Sequence, residues 1–143
     1  AEVVKMLRVG SAKVLLPYNL TANVNVADLP FDSCDSAKFS NGYKVTAVKV
    51  TPFANIAAGA ADFVTYTVTK YSGANAAAGA GTVVATANTG ASGILRRIPT
   101  AAVLVANAVE CAANSVLTLS LTYSALSTTN TAGAMVEVLY EAI

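Results

Sequence analysis

The sequence predicts an all-β protein: a single antiparallel β-sandwich, jelly-roll-like, of about eight strands with Gly/Ala-rich loops and a short N-terminal arm. Three observations carry this expectation. Several stretches alternate apolar and polar residues with a period of two, which places one face inward and the other outward. Turn-forming residues recur between those stretches. Helix-period patterning is scarce.

Taken in order, residues 1–19 are expected to form an N-terminal arm or edge strand, with Val3, Val4 and Leu7 beside Lys5 and Arg8 as its one amphipathic turn. Leu20, Ala22, Val24 and Val26 alternate with Thr21, Asn23 and Asn25, a strand pattern. Asp28–Lys38 reads as a loop holding a helical turn. Tyr43–Thr51 is a strand whose apolar parity changes between Val45 and Val48, predicting a bulge near Ala47. In Phe63–Tyr71, Val64, Tyr66 and Val68 form one face and Thr65, Thr67 and Thr69 the other. Shorter strands are expected at Thr82–Ala87, Gly93–Ile98 and Ala102–Ala106, with Pro99 between two of them, where it interrupts no ladder. Leu117, Leu119, Leu121 and Tyr123 alternate with Thr118, Ser120 and Thr122, and Val136, Val138 and Tyr140 alternate with Met135, Glu137, Leu139 and Glu141.

The connections carry almost no charge. Ala54–Ala61, Gly73–Gly81, Asn88–Ser92 and Ser127–Gly133 consist of Ala, Gly, Asn, Ser and Thr with a single Ile. Loops of this composition are expected to pack against something.

Composition narrows the function classes. The 143 residues form one expected domain, 1–143, and Ala, Val and Thr supply 29, 19 and 15 of them. Nine basic against eight acidic residues leave no basic stripe, which argues against nucleic-acid binding. The longest unbroken apolar run near the middle of the chain, Ala101–Ala106, is far short of the roughly 20 residues a membrane helix needs, so no membrane partner is expected. The start, Ala1-Glu2-Val3-Val4-Lys5, lacks the pattern of a signal peptide. Histidine and tryptophan are both missing. Without histidine the commonest general base and transition-metal ligand are gone together.

Candidate chemistry is thin. Asp28, Asp32 and Asp35 fit no EF-hand spacing, and turns or caps account for them. Cys34 and Cys111 stand 77 positions apart with no CxxC, and read as two thiols before a disulfide. Arg96-Arg97, the only adjacent basic pair, would point to opposite faces of a strand and so form no anion fork. No nucleophile elbow, P-loop or dinucleotide fingerprint is present. An enzyme is therefore not expected, nor a cofactor or metal. A sugar-binding sandwich is a rival reading, with tyrosines substituting for tryptophan. Tyr66, Tyr123 and Tyr140, however, share parity with core aliphatics.

The stretch Ile98-Pro99-Thr100 … Val116-Leu117-Thr118-Leu119-Ser120-Leu121-Thr122 resembles the later strands of jelly-roll virion proteins. Phe39-Ser40-Asn41-Gly42-Tyr43-Lys44-Val45 leading into a long strand, and the closing strand Met135–Ile143, fit the same picture. By texture and strand order over residues 20–143, the chain resembles the decoration (cement) proteins of tailed-bacteriophage capsids. The resemblance implies a homotrimer on the outer surface of the virion capsid, made in the host cytoplasm. It implies that the chain binds the major capsid protein between capsomers and stabilises the shell. The expected contact surfaces are Ala1–Val9 (Glu2, Val3, Val4, Lys5, Leu7, Arg8), Ala54–Ala61 (Asn55, Ile56), Gly73–Gly81 (Asn75), and the Arg96-Arg97 pair. The alternative function is a receptor- or carbohydrate-binding sandwich of a fibre, tail or pilus.

Overall fold

The computed structural model describes residues 9–16, 25–31, 41–71, 81–112, 115–124 and 133–143. The ten strands among them are β1 (Val9–Leu15), β2 (Val26–Pro30), β3 (Tyr43–Pro52), β4 (Val64–Tyr71), β5 (Thr82–Asn88), β6 (Thr100–Ala101), β7 (Val103–Leu104), β8 (Glu110–Cys111), β9 (Val116–Tyr123) and β10 (Ala134–Ala142). All their pairings are antiparallel. The first sheet runs β1-β10-β3-β6, with β8 also on β3; the second runs β2-β9-β4-β5-β7.

The pieces β6, β7 and β8 take the place of one strand. The ten described strands, against about eight expected, then reduce to an order of first–eighth–third–sixth in one sheet and second–seventh–fourth–fifth in the other, with β7 extending the second sheet beyond the fifth. That winding, with the first and last strands paired and the chain changing sheet at every step except from the fourth strand to the fifth, is a jelly roll. The two sheets pack face to face as a β-sandwich over one apolar cluster.

Period-two alternation does the sorting. Leu117, Leu119 and Leu121 from β9, Val64, Tyr66 and Val68 from β4, and Val136, Val138 and Tyr140 from β10 all enter the core. On β3 the inward set is Tyr43 and Val45, then Val48 and Val50. The register shifts there: Leu139 pairs with Ala47 while Tyr140 pairs with Val45, leaving Thr46 as the extra residue. The bulge thus lies beside Ala47, as the parity change predicts, and Thr46 Oγ1 donates to the Leu139 carbonyl oxygen at 3.1 Å.

β1 buries only small or branched side chains, Ala12 and Val14, with Gly10 facing the Tyr140 ring. A Cβ at Gly10 would come within 2.7 Å of that ring, so the glycine is there for the tyrosine. Tyr140 in turn packs against Tyr43, centroids 5.3 Å apart and rings tilted at 52°.

Segment 100–111 laces the two sheets together along one side. Thr100 and Ala101 pair with Val50 and Lys49 of the first sheet; Val103 and Leu104 pair with Thr86 and Ala85 of the second; Glu110 and Cys111 return to Lys44 and Tyr43. The Ala102 and Val105 amides extend the lacing, donating to Val48 and Val84 carbonyl oxygens, each at 2.8 Å.

Three expectations need correction. Gly93–Ile98 is no strand: it holds one isolated bridge, Ile94 to Ile56, and then turns. Ala102–Ala106 is likewise not one strand, because the chain changes sheet within it. Asp28 lies within β2 and not in a loop. Residues 20–24 of the expected second strand, the Asp32/Asp35 cluster, Cys34 and the loop residues 73–80 and 127–132 fall outside the described residues.

Candidate functional site

The expected contact residues Asn55, Ile56, Arg96 and Arg97 come from two separate stretches, and the fold brings those stretches side by side. Ile56 and Ile94 exchange both backbone hydrogen bonds at 2.9 Å. One step along, the Arg96 amide donates to Asn55 Oδ1 at 2.7 Å and the Arg97 amide to the Pro52 carbonyl oxygen at 2.8 Å. The Ile98 amide closes the turn onto Leu95 O at 3.1 Å. Gly93 permits the approach, since a Cβ there would run into the Ile56 carbonyl oxygen and the Ala58 amide.

This arrangement changes the reading of each residue. Ile56 is a core side chain, 4% exposed, and is removed from the contact surface. Its burial follows from the isoleucine pair that stitches the loops together. Asn55 is exposed, and its amide oxygen holds the turn. Arg96 and Arg97 are exposed in a turn, so the strand argument that would send them to opposite faces does not apply. Arg97 has φ of 63°, the left-handed region that non-glycine residues rarely occupy.

Exposed apolar side chains flank the arginines in the chain. Leu95 is 56% exposed and Ile98 51%, and farther along the same segment Val103 reaches 75%. Of Ile94, Leu95 and Ile98, only Ile94 is buried. Between Phe53 and Ala61, and between Thr89 and Val109, Arg96 and Arg97 are the only charged residues.

The opposite side of the sandwich is open. There β1 and β2 end their sheets, and an open cleft of about 420 Å³ is lined by Lys13, Val14, Leu15, Leu29, Pro30 and Phe31. Val9 and Leu15 stand exposed on β1. Glu2, Val3, Val4, Lys5, Leu7, Arg8 and Asn75 lie outside the described residues.

Tyr43, Tyr66 and Tyr140 are buried, and Tyr71 and Tyr123 are half-buried. The Tyr43 hydroxyl donates to the Ser115 carbonyl oxygen at 3.3 Å. The Tyr66 hydroxyl has no hydrogen-bond partner among the described residues. Burial, with the nearby Tyr123 as a smaller cause, pushes the Tyr66 phenol far above its ordinary pKa. Cys111 is buried as well, its Sγ donating to the Val109 carbonyl oxygen at 3.7 Å. Among the described residues no three His, Cys, Asp or Glu side chains gather as a metal site would require.

No protein-family model matches the chain, and no curated protein matches it in sequence.

Proposed function

We propose that this chain is a structural protein of a virion, a decoration (cement) protein of a tailed bacteriophage. It binds the assembled shell through the major capsid protein between capsomers, as a homotrimer on the outer surface. A jelly roll by itself hosts shell proteins, lectins and enzymes alike, so the reading is argued from the surface and not from the fold. One observation carries it. In a sandwich with an apolar core, the laced side leaves Leu95, Ile98, Val103 and Val105 exposed, with two arginines and no carboxylate between residues 95 and 105. Apolar surface enriched in arginine and poor in Lys and Glu is the composition of a protein-binding patch. Contact work of this kind needs no titrating catalyst, in keeping with a chain that has no histidine.

Binding only the assembled lattice stabilises it by mass action, and repetition over a symmetric shell adds avidity. The test is to mix the purified chain with shells of the encoding phage that lack it, then follow co-sedimentation and the temperature at which shells open. Saturable binding with a raised opening temperature is expected. Shells that neither bind the chain nor change in stability overturn the proposal.

A further inference from the structure

We propose that the Leu95–Ile98 turn is a recognition site for a protein surface presenting carboxylates set among apolar side chains. The inference deepens the decoration reading at the same patch, and it rests on that reading in taking the partner to be a protein surface.

Its first ground is charge. Among the described residues neither the Arg96 nor the Arg97 guanidinium has a partner: the ion pair there joins Lys13 to Glu137, and the arginines contribute only their backbone amides to hydrogen bonds. Each stands next to an exposed apolar side chain, Leu95 or Ile98. Any partner that covers those apolar groups also strips water from the guanidiniums, and a desolvated, unpaired charge is strongly unfavourable. A partner must therefore bring carboxylates, which the planar guanidinium fork binds with two parallel hydrogen bonds. A surface lacking acids is rejected by the same term.

The second ground is backbone. Arg97 holds a left-handed φ of 63°, where glycine or asparagine fits at lower cost. Strain held at an exposed arginine is a mark of a built feature. The turn is also fixed before any partner arrives, tied by Arg96 N to Asn55, Arg97 N to Pro52 and the Ile56–Ile94 pair. Pre-organisation of this kind lowers the ordering cost of binding. Nucleic-acid phosphate fits less well, because the flanking exposed side chains are apolar and nucleic-acid interfaces are polar and densely basic.

The experiment pans a displayed library of random 16-residue peptides on the full chain, then measures recovered peptides against wild type, R96Q/R97Q and R97G. Recovered sequences are expected to be enriched in Asp or Glu beside Leu, Ile, Val or Phe. R96Q/R97Q weakens their binding by about 10- to 100-fold, and added salt weakens wild-type binding. R97G, which relieves the backbone, melts higher than wild type and still binds more weakly, a combination that a purely structural arginine would not give. Recovery of peptides without acidic enrichment overturns the proposal, as does equal binding to R96Q/R97Q. Tighter binding of a 20-base-pair DNA duplex overturns it in favour of phosphate, and an arginine-dependent oligomer in sedimentation overturns it in favour of self-association. Acidic peptides recovered by a chain that ignores shells would sink the decoration reading alone. Shells bound equally well by R96Q/R97Q, with no acidic enrichment, would sink this proposal alone.

Discussion

The two outward faces of the sandwich share one backbone geometry and carry opposite chemistry. On the first sheet, charges alternate in sign across the strands: Lys13 pairs with Glu137, which pairs with Lys49, and Glu141 pairs with Lys44, which pairs with Glu110. On the second sheet the rows are hydroxyls and amides: Thr122–Thr65–Asn88, Ser120–Thr67–Thr86 and, where the fold covers the row, Thr118–Thr69. Alternation decides only which residues face outward. What those residues are decides how a face responds to salt, pH and a neighbour, and rows of hydroxyls and amides cost less to dehydrate against another protein than rows of charges.

The largest expected effect tests whether the faces belong to one cooperative unit. Leu119→Ala, at 0% exposure between the sheets, is expected to cost about 2–5 kcal/mol in chemical denaturation while both sheets still unfold in one transition. Two separate transitions would break the comparison at its base.

Next is Tyr66→Phe, which removes a buried hydroxyl without a partner and is expected to stabilise by about 1 kcal/mol. It also has a pH signature. The folded phenol titrates above its unfolded value of 10.0, so its contribution is fully present below pH 10 and is lost as pH rises past that value, where the unfolded chain ionises first. Wild type therefore weakens more steeply than Tyr66→Phe in alkaline melts, and parallel alkaline limbs would refute the assignment.

Thr118→Val sharpens the comparison on the hydroxyl face. Its Oγ1 is buried without a partner, so the isosteric change is expected to be neutral or stabilising by up to about 1 kcal/mol, independently of salt. The smallest effect belongs to the charged face. Lys13 and Glu137 lie 3.5 Å apart with the lysine half exposed, and Lys13→Met is expected to cost less than about 0.5 kcal/mol, fading in molar salt. A salt-dependent Thr118→Val paired with a salt-independent Lys13→Met would invert the picture.

The fold was legible wherever one face of a strand is aliphatic and the other polar. That holds for β4, β9 and β10, and for β3 down to its bulge, because the parity change in Val45, Val48 and Val50 is itself the physical cause of the irregularity. β1 gave a weak signal, because it buries only Ala12 and Val14, with Gly10 on the same side kept small by the Tyr140 ring. Segment 93–105 misled, because its short apolar runs Ile94-Leu95 and Ala101–Val105 have the composition of strands while its pairing comes from Ile56 in one place and from two different sheets in another. The candidate site was half legible. The arginine pair and Asn55 stood out as charge and turn chemistry in bland loops. Only the tertiary pairing shows that they meet, and that Ile56 beside them is buried.

β10 follows the nine other described strands, yet it lies between β1 and β3, pairing Val9 with Glu141 and Val50 with Val136. On the ribosome, β1 and β3 therefore emerge long before the strand that joins them, and the first sheet has no middle until β10 is released. Closure across so long a loop is slow. Until then the nascent chain holds open apolar strand edges, the condition in which neighbouring copies mispair and chaperones are recruited.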